Sequence, residues 1–193
     1  IEAIGGREAV EKVNSVMMKG KASAMGRSFD MVIKQTNENK FLSKMKMGEM
    51  VLSKTVFDGQ SGYNMMQGQK KEMSDEQVEA QKKSVVLFPE LSVSEDAKLT
   101  AIVPVDGNDA YKVSKGDDVN AYYDVETGLK IMEEVSQKQG EKEVLAKDKI
   151  SDYQEIQGVK FPHKTVKEIG PQTIEMGINK IKINEGVSAS DFQ

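Results

Sequence analysis

The chain has no cysteine, no tryptophan and only one histidine among its 193 residues. Without cysteine there is no disulfide, no thiolate nucleophile and no thiolate metal site, and such a chain is at no disadvantage in an oxidising envelope or periplasm. No apolar run reaches the length of a signal h-region or a membrane-spanning helix. The sequence opens at Ile1 rather than Met, so the expectation is that something preceded it and was removed, either a signal peptide or a further domain. A Walker loop, a GxGxxG fingerprint, an HExxH or HxxEH pair and an EF-hand spacing are all missing, which removes the common nucleotide, zinc-peptidase and calcium readings. Acids outnumber Lys and Arg by 31 to 27, for a net charge of -4, and no basic run is interleaved with aromatics. A nucleic-acid partner is not expected.

What is present suits one globular unit. Hydrophobic residues make up 38% and charged residues 30% of the chain, and this length can bury one core without disulfides or metals. No fixed-length repeat, low-complexity tract or linker divides it, so residues 1–193 read as one domain. Methionine is the over-used residue: there are twelve, and all but two precede residue 74.

Patterning along the chain is that of a meander. Arg7 to Val13 reads as a short amphipathic helix with Ala9, Val10 and Val13 on one side. From Ser15 the period becomes two: Val16, Met18, Gly20, Ala22 and Ala24 alternate with polar residues, then Phe29, Met31 and Ile33, then Phe41, Met45 and Met47, then Met50 to Phe57. Gly26, Asn37 to Asn39, Gly48-Glu49 and Asp58-Gly59 supply turns short enough for antiparallel neighbours. Ser74 with Gln77 three residues later, and acids between them, predicts a capped helix running to about Leu87, ahead of Pro89. Its Val78, Val85 and Leu87 need an apolar face to pack on. Strands then resume at Leu99–Val105, Ala110–Ser114, Val119–Asp124, Leu129–Ser136, Glu143–Ile150, Val159–Glu168 and Thr173–Asn184. In the last of these, Ile174, Met176 and Ile178 have one parity whereas Ile181 and Ile183 have the other, which predicts either a bulge near Gly177 to Lys180 or a bend in the strand. The sum is about ten or eleven antiparallel strands and two helices.

Four groups could carry chemistry. Asp124 and Glu126 are close enough for an acid/base pair or a metal clamp. Because apolar parity runs up to Tyr123 and restarts at Leu129, they read instead as a hairpin turn, with Asp124 accepting backbone N–H bonds and Gly128 taking a positive φ. His163 lacks a nucleophile elbow or companion ligands, and reads as a strand histidine satisfied by a neighbour; Pro162 beside it suggests an edge or a bulge. Asp106 to Asp109 is a turn, too short for a calcium loop. Met45-Lys46-Met47 leaves three readings open: a Cu(I) site, ordinary core, or the lining of an adaptable apolar cavity, since unbranched thioethers repack around varied shapes.

Several phrases in order, Ile1-Glu2-Ala3-Ile4-Gly5-Gly6 before a helix, Phe57-Asp58-Gly59-Gln60-Ser61-Gly62-Tyr63, Asp109-Ala110-Tyr111-Lys112-Val113, Tyr122 to Leu129, Asp152 to Pro162 and Ile181-Lys182-Ile183-Asn184, resemble the LolA/LolB-like outer-membrane lipoprotein-sorting superfamily. The likeness is to envelope proteins in which such a domain stands alone or follows a pitrilysin-type zinc peptidase. It implies a mainly β fold, a strongly curved and incompletely closed antiparallel barrel with helices covering its open mouth. It also implies a non-enzymatic periplasmic or envelope module of a Gram-negative bacterium, without cofactor or metal, holding a lipid or a lipoprotein acyl chain. The alternative is an accessory C-terminal domain of a peptidase polypeptide that engages another envelope protein and no small ligand. Parity and helix face nominate Met18, Met31, Met45, Met47, Val78, Val85 and Leu87 as ligand-lining residues. The superfamily's lid-holding arginine has no match: Arg7 and Arg27 are the only arginines and neither sits in a comparable motif.

Overall fold

The computed structural model describes residues 1–91, 97–116, 118–139 and 142–193. A 3-10 turn (Glu2–Ile4) and a short helix α1 (Arg7–Glu11) lead into β1 (Ser15–Ala24), β2 (Arg27–Thr36), β3 (Phe41–Met47), β4 (Met50–Phe57), β5 (Gly62–Met66) and β6 (Gln69–Glu72). Helix α2 (Asp75–Ser84) and a 3-10 turn (Pro89–Leu91) follow. Then come β7 (Lys98–Val105), β8 (Asn108–Ser114), β9 (Val119–Asp124), β10 (Lys130–Gln139), β11 (Lys142–Ile156), β12 (Val159–Ile169) and β13 (Gln172–Ile183), and a last 3-10 turn (Ala189–Phe192).

The described residues form thirteen strands in one antiparallel sheet, ordered β6-β5-β4-β3-β2-β1-β13-β12-β11-β10-β9-β8-β7. The first and last strands pair in the middle, so the two edges, β6 and β7, are successive in sequence and are joined by the segment that holds α2. Among the described residues these edges do not pair, and the barrel stays open along that seam. The hairpin β5–β6 is the addition to the expected strands. It is short, and β6 is exposed at every residue, so it carries no alternation to read. Its turn, Gln67-Gly68, has φ of 49° and 83°, the mirror-image geometry that suits the strand twist.

Ser74 caps α2 as expected, its side chain accepting from Gln77 N–H while the Gln77 side chain returns to Ser74 N–H. The helix stops at Ser84 rather than near Leu87, because Val85 leaves the helical region at ψ 78°, freeing Val85 and Leu87 to turn inward. The bulge falls where parity placed it: Lys19 pairs with Lys180 and Gly20 with Ile178, so Asn179 is the extra residue. There β1 and β13 approach so closely that a Cβ on Gly20 would lie 2.0 Å from the Gly177 carbonyl oxygen. Pro162 sits in an interior strand, but beyond the point where β12 pairs with β13, which begins at Lys164. Its missing N–H therefore costs no ladder bond on that side.

The two faces are covered at different places. On one, called inner here, α1 and the segment around Phe88 cap one end of the sheet, joining Val10, Val13, Val16, Phe88, Val159, Phe161 and Ile183 into a buried cluster. On the outer face the C-terminal segment lies over β2 to β4: Phe192 packs on Leu42 and Val56, Asp191 pairs with Lys34 at 2.5 Å, and Met17 packs beneath Gly186.

Candidate functional site

Turn chemistry builds the site's outer rim. Asp124 accepts from Thr127 N–H at 2.7 Å and Thr127 Oγ1 at 2.8 Å, while Gly128, at φ 69°, bonds its N–H to the Asp124 carbonyl at 2.9 Å. These donors hold the Asp124 carboxyl below the usual carboxylate range. The pair with Glu126 is thus a fold device, as the parity indicated. Gly128 has a further use: a Cβ there would meet Ala3 Cβ at 3.2 Å, and one on Gly5 would lie 2.1 Å from the Gly158 carbonyl oxygen. Glycine at both positions lets the N-terminal 3-10 turn seat against the β9–β10 and β11–β12 turns.

Behind that contact lies a cavity of about 220 Å³. Its apolar walls come from Ile1, Ala3 and Ile4 of the N-terminal turn, Leu87, Phe88 and Pro89 of the segment after α2, and Met18, Ile150, Phe161 and Pro162 of the sheet. Gln35 of β2 and Tyr123 of β9 also line it. They stand six strand widths apart, roughly 29 Å in a flat sheet, so the sheet must curl strongly around this space. Ile150 and Tyr153, three residues apart, both reach it because left-handed backbone at Asp152, φ 54°, breaks the alternation of β11.

One side of the cavity is polar: Glu90 and Lys130 there are ion-paired, while Lys160, also on the wall, has no ion pair among the described residues. Lys130 Nζ lies 3.3 Å from Glu90 and 3.3 Å from Glu133, and Lys115 reaches Glu133 at 3.6 Å. Burial alone would raise the Glu90 pKa, but Lys130, the backbone N–H of residue 90 and Lys115 outweigh it and hold the carboxyl low. Burial likewise opposes the charge on Lys130, yet Glu90 and Glu133 keep its pKa raised. The tyrosine hydroxyls are pushed up, Tyr123 by burial and then Glu90, Tyr153 by burial and then Glu90, so both stay protonated. Tyr153 donates to the Lys130 carbonyl at 2.8 Å. A lysine held between two carboxylates, with two protonated phenols beside them, leaves this cluster no free base or nucleophile. Among the described residues no group of three His, Asp or Glu is placed to hold a metal ion.

His163 lies outside this cavity, buried, with Nδ1 3.1 Å from the Phe161 carbonyl. It borders an open, charged depression of about 450 Å³, with Lys21, Asp152, Lys164 and Glu175, where β12 and β13 part.

Of the residues nominated from sequence, Met18 and Leu87 are on the cavity walls. Met31 and Val85 are buried elsewhere, Met45 and Val78 are half-buried, and Met47 is 43% exposed. Met31 and Met45 face each other across β2 and β3, on the inner face but toward the uncapped end. Most of the wall was not nominated. Ile1 to Ile4 and Phe88 to Glu90 are loop residues without periodicity, and only the apolar residues that flank Gly5 and Pro89 hinted at burial.

No family model matches the chain, and no curated protein matches it in sequence. Solved structures do match in fold. A domain from Vibrio parahaemolyticus, assigned by its name to outer membrane lipoprotein sorting, superposes with a TM-score of 0.66 at 10% identity, covering 96% of this chain and 93% of that one. A LolA superfamily protein from Nitrosomonas europaea gives 0.62 at 11% identity, covering 96% of each chain. A DUF1329 family protein from Desulfovibrio piger gives 0.64 at 12% identity, covering 96% and 92%.

Proposed function

We propose that this chain, whose fold is LolA-like, is a non-enzymatic binding module of the periplasm or cell envelope that holds an acyl chain or similar apolar ligand in the inner-face cavity. The observation that carries the reading is the cavity itself, apolar on most of its wall, with Glu90 and Lys130 at its polar side paired to each other. Its size narrows the ligand. An apolar cavity of about 150 Å³ holds a benzene ring, whereas sites for drug-sized ligands run to about 300–1,000 Å³. About 220 Å³ therefore suits a segment of one chain, or a ring, rather than a cluster of acyl chains. Each methylene buried contributes about 0.8 kcal/mol, so a few are enough for useful binding once the ion-paired rim stays intact.

The test is organic extraction of the purified protein followed by mass spectrometry, paired with titration of a fluorescent fatty acid. A Met18→Trp variant places an indole in the cavity and should weaken that binding at least tenfold, on the order of two lost methylenes, with an unchanged circular dichroism spectrum. An extract free of lipid, together with no fatty-acid binding, would overturn the reading and leave the accessory domain that meets another envelope protein.

A further inference from the structure

The end of the sheet opposite the helices carries a second feature. Alternate turns of a meander lie at one end, so the hairpins β1–β2, β3–β4 and β5–β6 share the uncapped rim. Methionine stands on each of them: Met25 is 84% exposed, Met47 43%, Met50 55% and Met66 67%. Neighbouring tips are two strand widths apart, roughly 10 Å, so the four residues stand along one rim. Among the described residues the other exposed large hydrophobics are Leu99, Ile102 and Leu145, and none lies at the capped end. A single exposed apolar residue means little, but a set of them confined to one rim marks a contact surface.

Charge supplies the second, independent observation. Residues 15–72, which form β1 to β6, contain ten Lys or Arg and five Asp or Glu, a net charge of +5 in a chain whose total is -4; Asp191 of the overlying C-terminal segment offsets one of these by pairing with Lys34. At the tips themselves Arg27, Lys70 and Lys71 are exposed. Lys46 pairs with Glu49 at 3.6 Å and Lys70 with Glu72 at 2.8 Å, which leaves Arg27 and Lys71 without an ion pair among the described contacts. Behind these tips the inner face continues as half-buried Phe29, Met45, Ile174 and Met176, so the rim borders the apolar side of the sheet.

We infer that this rim docks on an anionic phospholipid bilayer, the methionine tips entering the headgroup region while the basic lobe is drawn to the negative surface. Flexible thioethers suit a disordered apolar boundary, and cations beside an anionic leaflet add attraction that salt screens. No helix among the described residues is long and apolar enough to cross a membrane, and this attachment needs none. The inference concerns the end opposite the cavity and does not depend on what the cavity holds.

Vesicle flotation tests it on the full chain, using phosphatidylcholine alone and phosphatidylcholine with phosphatidylglycerol at a ratio of about 7:3. Binding is expected to the second kind and to fall as salt rises. The fourfold variant Met25→Ser, Met47→Ser, Met50→Ser, Met66→Ser alters only exposed side chains and should weaken it at least tenfold. Arg27→Gln with Lys71→Gln should weaken it about fivefold per residue and flatten the salt dependence. Absence of binding to the anionic vesicles overturns the inference. So does equal binding by the methionine variant, or a self-association in sedimentation that this variant abolishes while vesicle binding stays absent, since the rim would then be covered by a second copy.

Discussion

Gly20 is the position where the largest effect of the smallest change is expected. A Cβ added there would lie 2.0 Å from the Gly177 carbonyl oxygen, 2.9 Å from its carbon and 2.9 Å from Ile178 Cα. All three are backbone atoms of β13, at the bulge that Asn179 creates, so no side chain can swing aside to relieve the contact. Overpacking that side chains absorb costs about 1–3 kcal/mol. Here relief means moving a strand by more than an ångström and weakening ladder bonds worth about 1 kcal/mol each. Gly20→Ala should therefore cost about 3–5 kcal/mol. Gly177 provides the control, because a Cβ there meets nothing within 4 Å and its φ is not positive; Gly177→Ala should be neutral or stabilise by about 0.4–1 kcal/mol through the unfolded chain. Urea unfolding followed by far-ultraviolet dichroism and by the five tyrosines, there being no tryptophan, reads both. With a slope of about 2–3 kcal/mol/M, Gly20→Ala should lower the midpoint by roughly 1–2 M. A shift under about 0.5 M, or one equal to that of Gly177→Ala, would refute the reasoning.

That bulge was legible because a parity change needs only apolar residues on both sides of it, and Ile178 and Ile181 provided them. The capping of α2 and the turn at Asp124 were legible for a similar reason: each is a local exchange of hydrogen bonds within four residues, and the residues that make it are adjacent in the sequence. What escaped was whatever depends on a distant partner. Leu42 is buried by Phe192 on the outer face, so β3 hides a residue of the parity opposite to Phe41, Met45 and Met47. The methionines suggested one lining, but the sheet divides them between the core, the capped end and the exposed rim. Nothing in the sequence around Lys130 sets it apart; its importance comes from Glu90, forty residues earlier, on a turn that only the crossover from β6 to β7 brings across. The resemblance to the lipoprotein-sorting superfamily gave the correct fold, yet family likeness could not say which residues of this chain close the cavity.

Two further outcomes test the closure. Phe88 is 8% exposed and its ring lies 5.9 Å from that of Phe161, so Phe88→Ala should cost about 3–5 kcal/mol and expose the segment around Pro89 to protease; equal protease resistance would show that the segment is held by something else. The Glu90 clasp predicts a pH dependence. Its carboxyl, with a usual value near 4.5, is held lower in the folded chain, so the folded state favours the ionised form. The resulting stability is fully present above the unfolded-state value and is lost as pH falls through the lower folded one. Glu90→Gln removes one of the two carboxylates on Lys130 and leaves Glu133, so at pH 7 it should cost about 1–2 kcal/mol. As pH falls below the usual value near 4.5, the parent chain, but not the variant, progressively loses the part of its stability that this group supplies. The two urea midpoints should therefore converge on acidification, and a difference that holds constant down to pH 3 would mean that Glu90 is not ionised by its contact with Lys130.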